Sequence, residues 1–271
     1  MRLSARIRRH ALGAGRALAI AVSIASCAPH RVEAPRIDLD VQRARFNSAL
    51  AQRESRSAGV EAELSLWARF SRSNDLPGVQ ARLLLAGPDA FRLRVSSAFG
   101  VGLDLAGRGD SLTAYVPRER VGVEAGGDSL GVRRPGSLGA RLWSATWRPP
   151  ERAWERAERT DSLLRLRWKE ATDSVKLVVG SSGLPASVTV EGPAGRVVAR
   201  YRSWTSVEGV RWASLVEVEG EKEGWGVTGR IHRVRFVRPP EEERLRVRIP
   251  RTAERLTMGE LREALERLGR D

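Results

Sequence analysis

Two serines, Ser111 and Ser129, each stand in a Gly-Asp-Ser-Leu tetrapeptide. A serine hydroxyl is a poor nucleophile unless a neighbouring base takes its proton. The chain has three histidines among 271 residues, and the two that follow the first 26 residues are His30 and His232. Both tetrapeptides fall between apolar runs, where Gly, Asp and Ser are ordinary turn residues. We therefore interpret them as hairpin turns.

The same tetrapeptide is similar to the signature of a lipase family, in which an aspartate stands three residues before the histidine partner. This chain has Gly229 three residues before His232. Two histidines and one cysteine do not make a zinc site of the usual composition, and the sequence contains neither a Gly-x-Gly-x-x-Gly motif nor a P-loop. We expect a protein that is not an enzyme and uses no metal and no cofactor.

The first 26 residues have the pattern of an export signal. Five arginines and no acidic residue precede an uncharged apolar run over residues 17–25, which is shorter than the roughly 20 residues that a membrane span needs. The run ends in Ile24-Ala25-Ser26-Cys27, which resembles the bacterial lipobox. Cys27 is the single cysteine, so an intramolecular disulfide is excluded. We predict that residues 1–26 are removed and that Cys27 carries acyl chains, such as palmitate, that anchor the protein in a membrane.

The residue after the lipidated cysteine sets the expected membrane. Ala28, and not aspartate, follows Cys27. By resemblance to enterobacterial sorting rules, this predicts attachment to the periplasmic face of the cell outer membrane. Inner-membrane attachment stays open, because the rule differs between phyla.

The basic charge is weak evidence for a nucleic-acid partner. Loss of five arginines with the signal lowers the formal net charge from +14 to +9. Of the 47 basic residues, 44 are arginine, a bias typical of a high-GC genome. Since an exported protein does not meet nucleic acid, we expect the charge to favour anionic lipid surfaces instead.

Apolar residues alternate with polar ones along most of the mature chain. Alternation over short segments, with turns every 10–14 residues, indicates antiparallel strands. The predicted strands lie around residues 64–70, 79–85, 91–95, 99–105, 112–116, 164–168, 175–179, 188–190, 197–201, 212–218 and 225–237.

Other segments break this alternation. Residues 27–36 read as a tether, and residues 37–57 as an N-terminal helix with Val41 on its apolar face. A helical insertion is predicted near 137–160, inside a sheet domain over 58–238. The C-terminal segment 239–271 is predicted to hold a helix over 257–268, which starts at a Thr-x-x-Glu capping box.

A sheet of this size, with few helices, has to cover one apolar face. Either a second sheet packs on it, or helices cover it, or it encloses an apolar ligand. The function depends on which of these solutions the chain adopts.

Three stretches resemble the LolA/LolB-like superfamily of bacterial lipoprotein carriers and outer-membrane lipoprotein receptors. The first, residues 88–100, is similar to the family's P-x-x-x-R-L-x-L-x-S-P-x-G strand pair, with Ala98 in the place of the second proline. The second is the hairpin over residues 109–117. The third runs from Gly183-Leu184-Pro185 to Trp212.

The resemblance implies a mainly β fold, an open half-barrel of about eleven antiparallel strands with helices covering the concave face. It also implies a LolB-like acceptor that binds the acyl chains of lipoproteins or lipids, with a chaperone or protein-transport role and a periplasmic carrier protein as a further partner. The implied cavity residues are Leu83, Leu85, Phe91, Leu93, Val95, Phe99, Leu103 and Leu105, with Trp143 and Trp147 on the covering helix. The alternative is a structural or regulatory envelope lipoprotein that binds a protein partner.

Overall fold

The protein is described by a computed structural model. It describes residues 38–69, 76–97, 100–127, 134–160, 162–193, 195–220, 224–257 and 259–260. The export signal, Cys27, the tether and Phe99 lie outside these residues, as does most of the predicted C-terminal helix.

Fourteen described strands form the sheet. They are β1 (Val60–Arg69), β2 (Leu76–Ala86), β3 (Ala90–Ser97), β4 (Gly100–Arg108), β5 (Ser111–Val116), β6 (Val121–Gly126), β7 (Glu158–Arg159), β8 (Leu163–Glu170), β9 (Asp173–Gly180), β10 (Pro185–Gly192), β11 (Gly195–Val207), β12 (Val210–Gly220), β13 (Trp225–Phe236) and β14 (Glu254–Arg255).

All fourteen strands belong to one open sheet. Its order is β14-β6-β5-β4-β3-β2-β1-β13-β12-β11-β10-β9-β8-β7, so the first and last strands are not paired with each other. Neighbours are antiparallel except for the parallel pair of β14 and β6. Strands β1 to β6 form one half of the sheet, in sequence order outward from β1. Strands β7 to β13 form the other half, with β7 at its outer edge and β13 paired with β1. The predicted mainly β, open half-barrel is confirmed.

The prediction of about eleven strands was too low. Strand β6 was missed although Val121, Val123 and Ala125 alternate along it, because the segment is only six residues long and Gly122 and Gly126, residues typical of turns, lie within it. Strands β7 and β14 have two residues each, too few to show any period.

Helix α1 (Leu39–Arg56) begins at Asp38, whose Oδ1 accepts hydrogen bonds from the amides of Asp40 at 2.9 Å and Val41 at 3.2 Å. Its range falls within the predicted 37–57, but the predicted apolar face was wrong, since Val41 is 45% exposed. The buried stripe is Gln42, Phe46, Leu50 and Arg53. Because Gln42 and Arg53 are polar, the spacing of apolar residues in the sequence does not reveal this buried stripe.

Two short helices fall within the predicted insertion. Helix α2 (Pro135–Ser144) follows β6, and helix α3 (Glu151–Glu155) precedes β7. Helix α2 is apolar enough to bury most of its residues. Both helices lie against the same core as α1.

The C-terminal segment crosses several strands after β13. It forms a 3-10 helix (Glu242–Leu245), and Ile249 packs against Gly122 of β6 before the chain pairs with that strand as β14. The predicted capping box is present, since Glu260 Oε2 accepts hydrogen bonds from the amide and hydroxyl of Thr257 at 2.7 and 2.8 Å.

Candidate functional site

Seven of the predicted cavity residues lie on one face of three adjacent strands. Leu83 of β2 is opposite Leu93 of β3, and Leu93 is opposite Leu105 of β4. In the same way, Leu85 is opposite Phe91, and Val95 is opposite Leu103. Because side chains alternate between faces along a strand, these directly opposed residues share a surface. We call it the concave face.

Cover over the concave face is uneven. Leu83, Leu85, Phe91 and Leu93 are at most 6% exposed. Val95, Leu103 and Leu105 are half-buried. Val79 of β2 and Val227 of β13, near the same end of the strands as Val95, are also half-buried. Apolar surface therefore stays partly open toward that end of the face.

Helix α2 covers the middle of the concave face at unusually short range. A methyl group built on Gly136 would come within 2.2 Å of the backbone of Arg108 in β4. One built on Gly139 would come within 2.3 Å of the Phe91 ring. Only glycine permits such an approach of helix and strand. Trp143, near the end of the helix, reaches across to Gly229 of β13.

Two aspartates hold the start of α2 against the sheet. Asp89 Oδ1 accepts hydrogen bonds from Ser137 Oγ at 2.7 Å and from Arg134 Nη2 at 3.0 Å. Asp110 Oδ1 accepts one from the backbone amide of Arg134 at 3.0 Å. The tetrapeptide that contains Asp110 is thus a hairpin turn, as interpreted, and its carboxylate fastens the covering helix.

Helices α1 and α3 cover the other half of the sheet. The rings of Phe46 and Trp154 meet edge to face with their centroids 5.4 Å apart. Gln42 Nε2 donates a hydrogen bond to the carbonyl of Gly180 at 2.7 Å, which attaches α1 to the end of β9. The sheet is therefore covered by helices and not by a second sheet.

A cavity of about 340 Å³ remains beside α2. Leu138 and Trp147 line one side, and Val175 of β9 lines another. Arg141 of α2 is also in the lining and donates to Glu170 of β8 at 2.8 Å. The volume lies at the lower end of the roughly 300–1,000 Å³ found for small-molecule pockets.

Trp147 was predicted to lie on the covering helix, but α2 ends at Ser144, and Trp147 fills the hollow beyond this end. Its side chain is 1% exposed, and its Nε1 donates a hydrogen bond to the Tyr201 hydroxyl at 3.0 Å. Burial raises the pKa of that hydroxyl above its ordinary value of 10.0. Much of the concave face is therefore occupied by the protein's own aromatic side chains.

A buried cation lies next to these rings and was not selected from the sequence. Arg53 of α1 is 0% exposed, and its three guanidinium nitrogens have no hydrogen-bond partner among the described residues. Its guanidinium carbon lies 5.2 Å from the centre of the Trp204 ring. Burial lowers the pKa of Arg53 to about 10. A desolvated cation without a hydrogen-bond partner destabilises the closed fold, and attraction to Tyr201 and Glu54 offsets only part of this cost.

Replacement of Arg53 by methionine should stabilise the protein. The change removes the uncompensated charge, and the loss of the contact with Trp204 offsets part of this gain. We expect about 1–3 kcal/mol more unfolding free energy in urea titrations at pH 7. The exposed Arg45 of the same helix serves as control, since Arg45→Met should change stability by less than about 0.5 kcal/mol. A destabilised Arg53→Met variant would contradict the assignment of an unpaired charge.

His232 has a serine partner in the structure. His232 Nε2 lies 2.8 Å from Ser65 Oγ, and Gln80 Nε2 donates to the same oxygen at 3.1 Å. Ser65 is 8% exposed and alternates with the concave-face residues of β1. Ser111 instead donates to the Arg108 carbonyl at 2.9 Å. Neither of the two cavities of 340 and 620 Å³ is lined by Ser65 or His232.

Within the described part of the chain, no helix is long and apolar enough to cross a membrane. The same residues contain no group of three or more His, Cys, Asp or Glu side chains arranged to hold a metal ion.

No protein-family model and no curated protein sequence matches this chain. Its fold is similar to solved structures of low sequence identity. A LolA superfamily protein from Nitrosomonas europaea is 14% identical, with a TM-score of 0.48 over 73% of this chain and 97% of its own. A domain assigned provisionally to outer membrane lipoprotein sorting, from Vibrio parahaemolyticus, is 11% identical, with a TM-score of 0.49 over 75% and 97%. A DUF1329 family protein from Desulfovibrio piger is 11% identical, with a TM-score of 0.49 over 75% and 98%. One of these neighbours carries the family name that the sequence resembles, and the likeness concerns the fold alone.

Proposed function

We propose that this protein is a lipid-anchored protein of the cell outer membrane that holds acyl chains of lipoproteins or lipids against its concave face. In this proposal, acyl chains on Cys27 attach the protein to the membrane, and the half-barrel faces the periplasm. It acts as a LolB-like acceptor in lipoprotein localisation and receives cargo from a periplasmic carrier. The binding surface is passive, so no catalytic group, metal or cofactor takes part.

The observation that carries the proposal is the kind of cover that the concave face has. When the apolar face of a sheet is fully buried, a second layer of secondary structure packs against it. Here three helices of 18, 10 and 5 residues cover it, and apolar residues near one end stay half-buried. An acyl chain is the type of ligand that such an apolar surface accepts.

Binding requires that α2 and the segment after it move. Trp143 and Trp147 occupy the centre of the concave face, so a guest chain has to take the place of these rings. The residues on either side of α2, Arg134 and Ala145, have left-handed φ angles of 51° and 54°. Such backbone angles are unfavourable for residues other than glycine. Movement of α2 would let both residues leave these angles, so the strain at its two ends favours release of the helix.

The test is saturable uptake of a fluorescent fatty-acyl probe by a form that begins at Ala28. We expect Leu103→Glu to weaken probe binding at least tenfold, because it places a carboxylate on the half-buried part of the concave face. The buried Leu93 is a poorer choice, since Leu93→Glu also threatens folding. Thr189→Glu is the matched control, because Thr189 is half-buried on β10 and is opposite Lys176. Its probe affinity should stay unchanged.

The competing function is a structural or regulatory envelope lipoprotein that binds a protein partner. The filling of the hollow by Trp143 and Trp147 favours it, because a fully closed core leaves no room for a guest. Absence of saturable probe uptake by the folded wild-type chain would reject the acyl-chain proposal and leave this one. Equal loss of uptake in Leu103→Glu and Thr189→Glu would also count against binding at the concave face.

A further inference from the structure

The opposite, convex face of the sheet carries a cleft of about 620 Å³ that is rich in arginine. Six arginines and two glutamates line it. The arginines come from β2, β3, β13 and the 3-10 helix; they are Arg82, Arg92, Arg94, Arg233, Arg235 and Arg244. We call it the arginine cleft.

Strand register places one pair of like charges directly opposite each other in the arginine cleft, beside pairs of opposite charge in which Glu63 of β1 faces Arg82 and Arg233 and Glu61 faces Arg235. Arg82 of β2 pairs in register with Arg94 of β3. Directly opposed like charges destabilise an antiparallel pair, because their Cβ atoms lie only about 5 Å apart. An anion between the two guanidinium groups would remove this repulsion.

Two of the three carboxylates near the cleft, Asp104 and Glu61, are taken by other arginines of the cleft, while Glu63 makes no ion pair among the described residues. Asp104 accepts two hydrogen bonds from Arg92, from Nε at 2.8 Å and from Nη2 at 2.6 Å. It also lies 3.7 Å from Arg94. Glu61 pairs with Arg244 at 2.5 Å. The cleft therefore keeps a surplus of positive charge.

Three arginines of the cleft make no ion pair among the residues that the structure describes. They are Arg82, Arg233 and Arg235. Arg200 and Arg202 of β11 do pair, with Glu219 and Glu217 of β12 at 2.7 and 3.4 Å. Other sheet arginines, such as Arg211, also make no ion pair among the described residues. The cleft differs from these isolated positions because three such arginines line one cavity.

One wall of the arginine cleft is fixed before any ligand arrives. The carbonyl of Arg244 accepts a hydrogen bond from Arg92 Nη1 at 2.9 Å. Glu242, at the start of the 3-10 helix, pairs with Arg108 of β4 at 2.8 Å. These contacts hold the C-terminal segment across the strands, so less ordering is needed on binding.

We propose that the arginine cleft binds a phosphate ester. Guanidinium groups form paired, charge-assisted hydrogen bonds to phosphate oxygens, and several of them together favour phosphate over a monovalent carboxylate. The volume exceeds that of a bare phosphate ion and lies in the range of small-molecule sites. Two sources carry this chemistry, a phospholipid headgroup of the membrane and a soluble phosphate ester. The site is separate from the concave face and independent of acyl-chain binding there.

The experiment is calorimetric titration of the full lipidated chain in neutral maltoside micelles. The probes are glycerol 3-phosphate, dihexanoyl phosphatidylglycerol and, as the net-neutral lipid, dihexanoyl phosphatidylcholine. We expect saturable binding of the first two that weakens as salt is raised. Phosphatidylcholine carries the same acyl chains and controls for their binding at the concave face. Tighter binding of phosphatidylglycerol than of both phosphatidylcholine and glycerol 3-phosphate assigns the site to lipid headgroups. Binding of glycerol 3-phosphate that equals or exceeds that of phosphatidylglycerol assigns it to the phosphate ester itself.

A pair of matched double variants decides whether the arginine cleft is responsible. Arg82→Gln with Arg94→Gln should weaken binding at least tenfold. Arg200→Gln with Arg202→Gln removes the same net charge from the same face and should leave binding unchanged. Circular dichroism checks that both variants fold. Equal weakening in the two variants, or no binding of either phosphate probe to the wild type, would overturn the proposal.

Discussion

Replacing Trp147 with alanine should lower the unfolding free energy by about 3–5 kcal/mol, the range found when a large aromatic residue is removed from a core. Its side chain is 1% exposed, donates to Tyr201 at 3.0 Å and lies under Arg141, whose guanidinium carbon is 6.0 Å from the ring centre. The substitution also empties the hollow next to the cavity of about 340 Å³. Urea unfolding followed by circular dichroism measures the loss of unfolding free energy.

The same variant should bind the fatty-acyl probe more tightly than the wild type. An apolar cavity that is left empty accepts apolar molecules, and the guest no longer competes with the indole ring. Tyr201→Phe is the matched control, because it removes only the hydrogen bond to Trp147 and should cost about 1 kcal/mol with little change in probe affinity. A loss of stability without any gain in probe binding would show that the emptied hollow is closed to guests.

The sheet could be predicted from the sequence because alternation along a strand directly determines which face a side chain occupies. Leu83, Leu93 and Leu105 share the concave face, as their spacing within three successive strands requires. The pattern is hard to recognise where glycines stand between the apolar residues of a short strand, as in β6, and where a strand has only two residues. Strand number was therefore underestimated, although the architecture was correct.

The buried face of α1 could not be predicted, because its pattern depends on tertiary contacts. Gln42 is buried since it donates to the Gly180 carbonyl, which is 138 residues away in the chain. Arg53 is buried against Trp204. A sequence pattern assigns both residues to a solvent-facing surface. The periodicity of apolar residues in a single sequence therefore does not identify polar residues that lie on the buried face of a helix.

The arginine cleft shows a similar limit. Arg92-Leu93-Arg94 and Arg233-Val234-Arg235 each place two arginines on one face of a strand. Both pairs of arginines can be seen in the sequence. The sheet order is needed to know that β3 and β13 lie near each other, separated only by β2 and β1. The surplus of charge becomes apparent only after the ion pairs are assigned.

The second large effect is expected from Gly136→Ala, which adds one methyl group at the start of α2. The new Cβ would lie 2.2 Å from the backbone nitrogen of Arg108, and backbone of a central strand cannot yield as a flexible side chain does. Alanine is favoured over glycine in a helix by about 1 kcal/mol, which is too little to offset this overlap. The helix should therefore lift from β4 and lose the hydrogen bonds from the amides of Gly136 and Ser137 to the Gly109 carbonyl, at 3.0 and 3.3 Å.

We expect Gly136→Ala to lower the unfolding free energy by about 3 kcal/mol and, at the same time, to raise the affinity for the acyl probe. Apparent affinity is reduced by the fraction of molecules in which the binding-competent state is populated, so a helix that opens more often strengthens binding without any change in the concave face. Urea titration and probe titration on the same sample give both quantities.

Gly102→Ala separates this effect from a general response to added methyl groups. Gly102 lies in β4, the strand that α2 touches, but a Cβ there would be 3.9 Å from its nearest neighbour, the Val95 carbonyl oxygen. That distance is ordinary contact, so stability and probe affinity should both stay near the wild-type values. If Gly136→Ala loses stability yet binds the probe no better, movement of α2 does not admit the guest. That result would contradict the requirement that α2 moves aside before an acyl chain can bind.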